Sequence, residues 1–119
     1  MTNDLLKQLK AVLESLDIEG LISLYADEFV FEDVPSNEMI TTREELRIYF
    51  QQLSQLPGVK FSDVSFFTCE DKAAGEWTWS GLKPNSGTEY SVRGASIIEL
   101  RDGKIERETI YYDPRPALP

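Results

Sequence analysis

Residues 88–112 run TEYSVRGASIIELRDGKIERETIYY. Asp102-Gly103 stands in the middle of this stretch, a dipeptide suited to the positive φ angles of a tight hairpin turn. On both sides strand-forming residues dominate, which predicts one long strand over Thr88–Leu100 and another over Lys104–Tyr112. Just upstream, Pro84-Asn85-Ser86-Gly87 reads as a loop. Before it, Ala73–Leu82 alternates Trp77 and Trp79 against Glu76, Thr78 and Ser80, a strand with one aromatic face. Further back, Val59 and Phe61 share one parity and Val64 and Phe66 the other, which predicts a bulge near Ser62-Asp63. The C-terminal half is therefore a run of strands joined as hairpins.

The N-terminal half has a different period. Leu5, Leu6, Leu9, Val12, Leu13 and Leu16 recur at helical spacing opposite Lys7, Lys10 and Glu14, an amphipathic helix. Asp17 is placed to cap a short second helix with Ile18, Leu21, Ile22 and Tyr25 as its buried stripe. Phe29-Val30-Phe31 then predicts a short strand running into Glu32-Asp33 and a turn at Val34-Pro35-Ser36-Asn37. A third helix starts at Thr42, where Thr42-Arg43-Glu44-Glu45 has capping-box spacing, presents Leu46, Tyr49, Phe50 and Leu53, and stops at Pro57-Gly58. Three helices followed by hairpin-linked strands predict an α+β fold with the helices on one side of a curved antiparallel sheet. The expected organisation is one domain over residues 1–119, with 114–119 an irregular tail carrying Pro114, Pro116 and Pro119.

Composition narrows the chemistry. The chain has 119 residues, 41% of them apolar, and 12 Lys plus Arg against 21 Asp plus Glu give a net charge of −9. Such a balance opposes nucleic acid and anionic membranes as partners. No histidine is present, which removes Ser-His-Asp triads, Cys-His pairs and His-ligated metal sites. One cysteine, Cys69, allows neither an internal disulfide nor a multi-Cys metal cluster, and reads as a small buried hydrophobe. No glycine-rich phosphate loop occurs, so neither cofactor nor metal is expected. The polar start Thr2-Asn3-Asp4 lacks the pattern of a signal peptide, and the apolar runs are far shorter than a membrane span, so a soluble, cytoplasmic protein is expected.

Both faces of the last two strands are apolar: Ile98 and Leu100 against Ala95 and Ile97, and Ile110 and Tyr112 against Ile105 and Tyr111. A second copy covering the outer face predicts a homodimer, and a few tolerated exposed aromatics are the alternative. Without histidine, proton transfer near neutral pH falls to a carboxylate, tyrosine or lysine moved from its ordinary pKa by burial. Asp33, at a strand end among apolar residues, is the leading candidate; its other role is to close an Asx-turn. Trp77 and Trp79 line an apolar ligand cavity or belong to plain core. Glu106 and Glu108 share the parity of Ile110 and Tyr112, and either enter that cavity or sit in solvent at the sheet edge.

Two opening helices, the run Leu24-Tyr25-Ala26-Asp27-Glu28-Phe29-Val30-Phe31-Glu32-Asp33, the Thr-Arg-Glu-Glu helix and the Asp102-Gly103-Lys104-Ile105 hairpin running to Tyr111-Tyr112-Asp113-Pro114 form a pattern over almost the whole chain. It resembles the SnoaL-like branch of the NTF2-like superfamily, which includes ketosteroid isomerases, polyketide cyclases and limonene epoxide hydrolases. The resemblance implies a cone of three helices and a curved sheet around a pocket, often in homodimers. It sets Asp33 where ketosteroid isomerases keep their proton-moving carboxylate. Their oxyanion-binding tyrosine falls on Leu9, the acid beside it near Ser96, and a supporting helix-three tyrosine on Phe50. The epoxide hydrolase Asp-Arg-Asp set falls on Trp77, Trp79 and Ile110, and its water-holding tyrosine and asparagine on Phe31 and Asp33. The cyclase acid falls nearest Ile110, with Glu108 one inward step away. Tyr25, Tyr49 and Tyr112 complete the expected pocket. Two functions follow: binding of a largely apolar small molecule, or cofactor-independent isomerisation or cyclisation with Asp33 as general base.

Overall fold

The computed structural model describes residues 2–118. Helix α1 spans Thr2–Ser15 and α2 Ile18–Ile22; strands β1 and β2 cover Tyr25–Asp33 and Glu38–Ile40; helix α3 runs Arg43–Ser54. Strands β3 (Lys60–Cys69), β4 (Lys72–Leu82), β5 (Glu89–Arg101) and β6 (Lys104–Tyr112) complete one six-stranded sheet of order β2-β1-β6-β5-β4-β3. The expected α+β architecture of helices on a curved sheet is present. Pairing is antiparallel throughout except between β1 and β6, which run parallel. A parallel pair requires a long crossover, here supplied by α3 and the β3–β5 meander.

Local signals explain most boundaries. The Asp17 side chain accepts the Gly20 N–H at 3.0 Å, and Thr42 caps α3 by accepting the Glu45 N–H on Oγ1 at 3.2 Å, while the Glu45 carboxylate takes the Thr42 hydroxyl at 3.0 Å instead of the backbone N–H that the capping box predicts. Asp102 and Gly103 take φ of 51° and 77° between β5 and β6, as the tight hairpin requires. The β3/β4 register shifts between Ser62 and Ser65, where Asp63 has φ 52°, so the parity change is the bulge expected there. A second bulge, between Glu99 and Leu100, brings Ile105 opposite Leu100 and turns it fully into the core.

Some expectations need correction. Tyr25 does not extend α2; the helix ends at Ile22, where the Arg43 guanidinium from α3 donates to the Ile22 and Tyr25 carbonyls at 3.0 and 3.1 Å, giving the orphaned carbonyl at the helix end a donor while Tyr25 begins β1. β1 is correspondingly longer than Phe29–Phe31. The three-residue β2 is too short to show a period in the sequence. Cys69 is exposed, not buried, because it closes β3 beside a two-residue turn to Lys72. The tail holds a short 3-10 turn at Arg115–Ala117, and Pro119 lies outside the described residues.

The core lies between the helices and the inner face of the sheet, where Leu9, Leu46, Tyr25, Phe31, Ile98 and Ile105 are almost fully buried. Burying an aliphatic side chain of this size contributes roughly 1.5–3 kcal/mol. Among the described residues no helix is long and apolar enough to cross a membrane.

Candidate functional site

Within this core a cavity of about 80 Å³ remains open. The register of β6 explains its floor. Glu108, Ile110 and Tyr112 alternate inward from one strand, with Glu108 opposite Phe31 of β1 and Ile98 of β5, and Ile110 opposite Asp33 and Ser96. Trp77 and Trp79 enter from β4, Ser96 from β5, Tyr25 and Phe31 from β1, Leu9 from α1, and Tyr49 and Phe50 from α3. All eleven pocket residues expected from the sequence therefore line one cavity. Leu13, Leu21, Leu53 and Phe61 also line it and were not expected. The first three sit on the apolar helix stripes and Phe61 on a strand face, but periodicity marks a buried face and not which part of it borders a void.

Eight of the lining side chains are aromatic, and they meet mostly edge to face: Phe31–Tyr49 at 5.1 Å, Phe61–Trp77 at 5.7 Å and Trp79–Tyr112 at 6.1 Å between centroids. Gly94, paired with Trp77 across β4/β5, leaves room for that indole: a Cβ there would fall 2.2 Å from the ring.

Two buried carboxylates are tied to the cavity wall, Glu108 lining it and Asp33 behind it, each with its own partners. Glu108 lines it; the Tyr25 hydroxyl donates to Glu108 Oε1, and the Ser96 hydroxyl lies alongside. Ser96 Oγ in turn accepts the Trp77 Nε1–H at 2.9 Å. Burial pushes the Glu108 carboxyl above its ordinary pKa, against the opposing pull of the Tyr25 and Ser96 hydroxyls. Burial, with Glu108 beside it, also drives the Tyr25 phenol upward. Glu106 does not enter; it pairs with Arg101 at 3.1 Å by the hairpin end.

Asp33, 2% exposed, is not among the lining residues. Its Oδ2 accepts the Tyr49 hydroxyl at 2.6 Å and the Tyr112 hydroxyl at 2.9 Å, while Oδ1 accepts the Ser36 N–H at 3.3 Å. Asp33 thus caps its own turn and also anchors two phenols that line the cavity. Burial first, then the bond to Asp33, raises both phenols above their ordinary pKa. Among the described residues no group of three carboxylate or thiolate side chains converges as a metal-ligand set.

This arrangement of three helices, a curved mixed sheet and a cavity under the helices is matched by the SnoaL-like domain over residues 6–108. The chain belongs to the SnoaL-like family. Solved structures agree on the fold. A hypothetical protein with a ketosteroid isomerase-like fold from Catenulispora acidiphila DSM 44928, in complex with trimethylamine, superposes with a TM-score of 0.85 at 18% identity, over 99% of this chain and 92% of that one. A candidate polyketide cyclase from Pseudomonas putida KT2440 gives 0.82 at 17% identity over 98% and 94%. A candidate isomerase from Bacillus subtilis gives 0.77 at 21% identity over 96% and 87%. No curated protein matches the chain. At these identities the SnoaL-like relatives establish the NTF2-like architecture, and activity has to be argued from the site.

Proposed function

We propose that this SnoaL-like protein binds a small, largely apolar molecule in the aromatic-lined cavity. The observation that carries the reading is the convergence of eight aromatic rings on a void whose polar additions are a buried carboxylate, Glu108, and a hydroxyl, Ser96. Such sites combine apolar contact area with a few orienting groups. At about 80 Å³ the void is well below the roughly 300 Å³ and more of pockets for drug-sized ligands, which favours a compact ligand over a polycyclic one. The trimethylamine bound by the Catenulispora neighbour is compact in the same sense. A thermal-shift screen of small molecules tests the reading: a ligand at a hundred times its Kd raises stability by about 2.7 kcal/mol. Binding should be lost on filling the void by Ser96→Leu; binding unchanged in that variant overturns the assignment.

The alternative is cofactor-independent isomerisation or cyclisation with Asp33 as general base. What favours it is the direct tie from buried Asp33 to two cavity-lining phenols, through which it would act. In that reading Asp33→Asn and Tyr49→Phe both abolish turnover of a true substrate; full activity in either removes the reading.

The protein is further proposed to be a cytoplasmic homodimer. Support comes from the outer sheet face, where Phe67, Ala74, Ile97 and Thr109 form a cross-strand row beside Ala95 and Tyr111, and Phe67, Ile97 and Tyr111 are each about half exposed or more. Sedimentation should give twice the chain mass, and Ile97→Lys should return it to one.

A further inference from the structure

We infer that the cavity selects a compact alkylammonium cation, with Glu108 as its counter-ion. The inference rests on the binding reading above and adds the charge of the ligand.

Where the protons of the wall point is the first argument. Tyr25 gives its hydroxyl proton to Glu108, Tyr49 and Tyr112 give theirs to Asp33, and Trp77 gives its Nε1–H to Ser96. Phenol lone pairs, aromatic rings and one carboxylate therefore dominate what a ligand meets. Trp79 Nε1 is buried without a hydrogen-bond partner, on a ring that packs edge to face on Tyr90, which lies 5.4 Å away between centroids and outside the cavity wall. No Lys or Arg lines the cavity. Such a wall repels anions, gives a neutral acceptor little to bond, and suits a cation whose alkyl groups sit against ring faces.

The second argument is the setting of Glu108. The Tyr25 hydroxyl reaches it from β1, the Ser96 hydroxyl lies beside it on β5, and the Tyr49 phenol from α3 lines the same cavity. The flanking Arg107 is engaged elsewhere, on Glu32 at 2.8 Å. The Tyr25 donor, with the Ser96 hydroxyl beside it, favours the ionised carboxyl, yet no cation near it within the wall balances that charge. A bound ammonium ion does so; at pH values where Glu108 is protonated, binding releases that proton to solvent. The third argument is size: about 80 Å³ admits a compact ion and excludes long or polycyclic ones.

The test is calorimetric titration, at constant ionic strength, with three probes of nearly equal shape: tetramethylammonium, tert-butanol and trimethylacetate. The cation should bind on the order of tenfold or more tighter than the alcohol, and the anion weakest. Because tetramethylammonium does not titrate, its affinity should rise with pH until Glu108 is ionised and then level off, with proton release below that point read from buffers of different ionisation enthalpy. Glu108→Gln should lose the cation's advantage and the pH dependence while still binding tert-butanol, which also reports that the variant is folded. Equal affinity for alcohol and cation, or an unchanged cation affinity in Glu108→Gln, overturns the charge inference and leaves the pocket reading standing. If none of the three probes nor toluene binds, the pocket reading itself falls.

Discussion

Asp33 and Glu108 sit on adjacent strands, two residues apart in register, both almost inaccessible to solvent, and both receiving hydroxyl protons from tyrosines. Their surroundings still set them to different tasks. Asp33 ends its strand, so a backbone N–H from the following turn joins the two phenols, and three donors occupy its oxygens. Glu108 lies mid-strand, where its neighbours' backbone groups serve the sheet ladder; side-chain hydroxyls are its partners, and burial outweighs them. The carboxylate with more donors is sealed off and organises the wall, while the one with fewer faces the void. A buried acid's role therefore follows from how many donors it keeps and whether any side stays open, more than from burial itself.

Removing Asp33 should hurt most. Asp33→Ala leaves the partly buried Tyr49 and Tyr112 hydroxyls without their shared acceptor, and each unpaired buried group costs about 1–3 kcal/mol; urea denaturation should show a loss of roughly 2 kcal/mol or more. Gly94→Ala comes next, because its Cβ must push the Trp77 indole toward the cavity. Overpacking of this kind costs about 1–3 kcal/mol, and ligand affinity should fall with it. Tyr25→Phe removes one donor from Glu108, at about 1 kcal/mol, and should lift the Glu108 pKa further, readable by NMR titration of the side-chain carboxyl. If instead Tyr25→Phe proves as damaging as Asp33→Ala, the contrast between the two acids collapses.

The smallest effect is expected for Glu108→Gln, and it is a change of slope. The folded protein holds the Glu108 proton more tightly than the unfolded chain does. This contribution is fully present below the ordinary carboxylate pKa and is lost as pH rises through the elevated folded value. Chemical denaturation from pH 4 to pH 8 should show that decline in the wild type and a shallower one in the variant. Equal slopes would mean that Glu108 ionises as freely folded as unfolded.

Residue patterns made much of this legible. Thr42 with Glu45, Asp17, Asp102-Gly103 and the parity switch at Ser62-Asp63 are local signals, and each specified its cap, turn or bulge because the interacting groups lie within a few residues. The alternation of Trp77 with Trp79 and of Glu108 with Ile110 and Tyr112 likewise assigned an inner face. Tyr25 was misplaced because its strand is set by Arg43, eighteen residues away, and by the parallel register with β6. Cys69 and the short β2 were missed because position at a sheet end, not residue type, governs them.

The sequence by itself determined the class of fold, the aromatic character of its interior and the absence of histidine chemistry, since periodicity, turn chemistry and composition are properties of neighbours along the chain. Only the tertiary structure decided which carboxylate faces the cavity. The hydroxyls that seal Asp33 come from α3 and, seventy-nine residues on, from β6, and the one that meets Glu108 comes from β1. Those distances along the chain are closed by sheet register and helix packing, so the division of labour between the two acids exists only once the fold has formed.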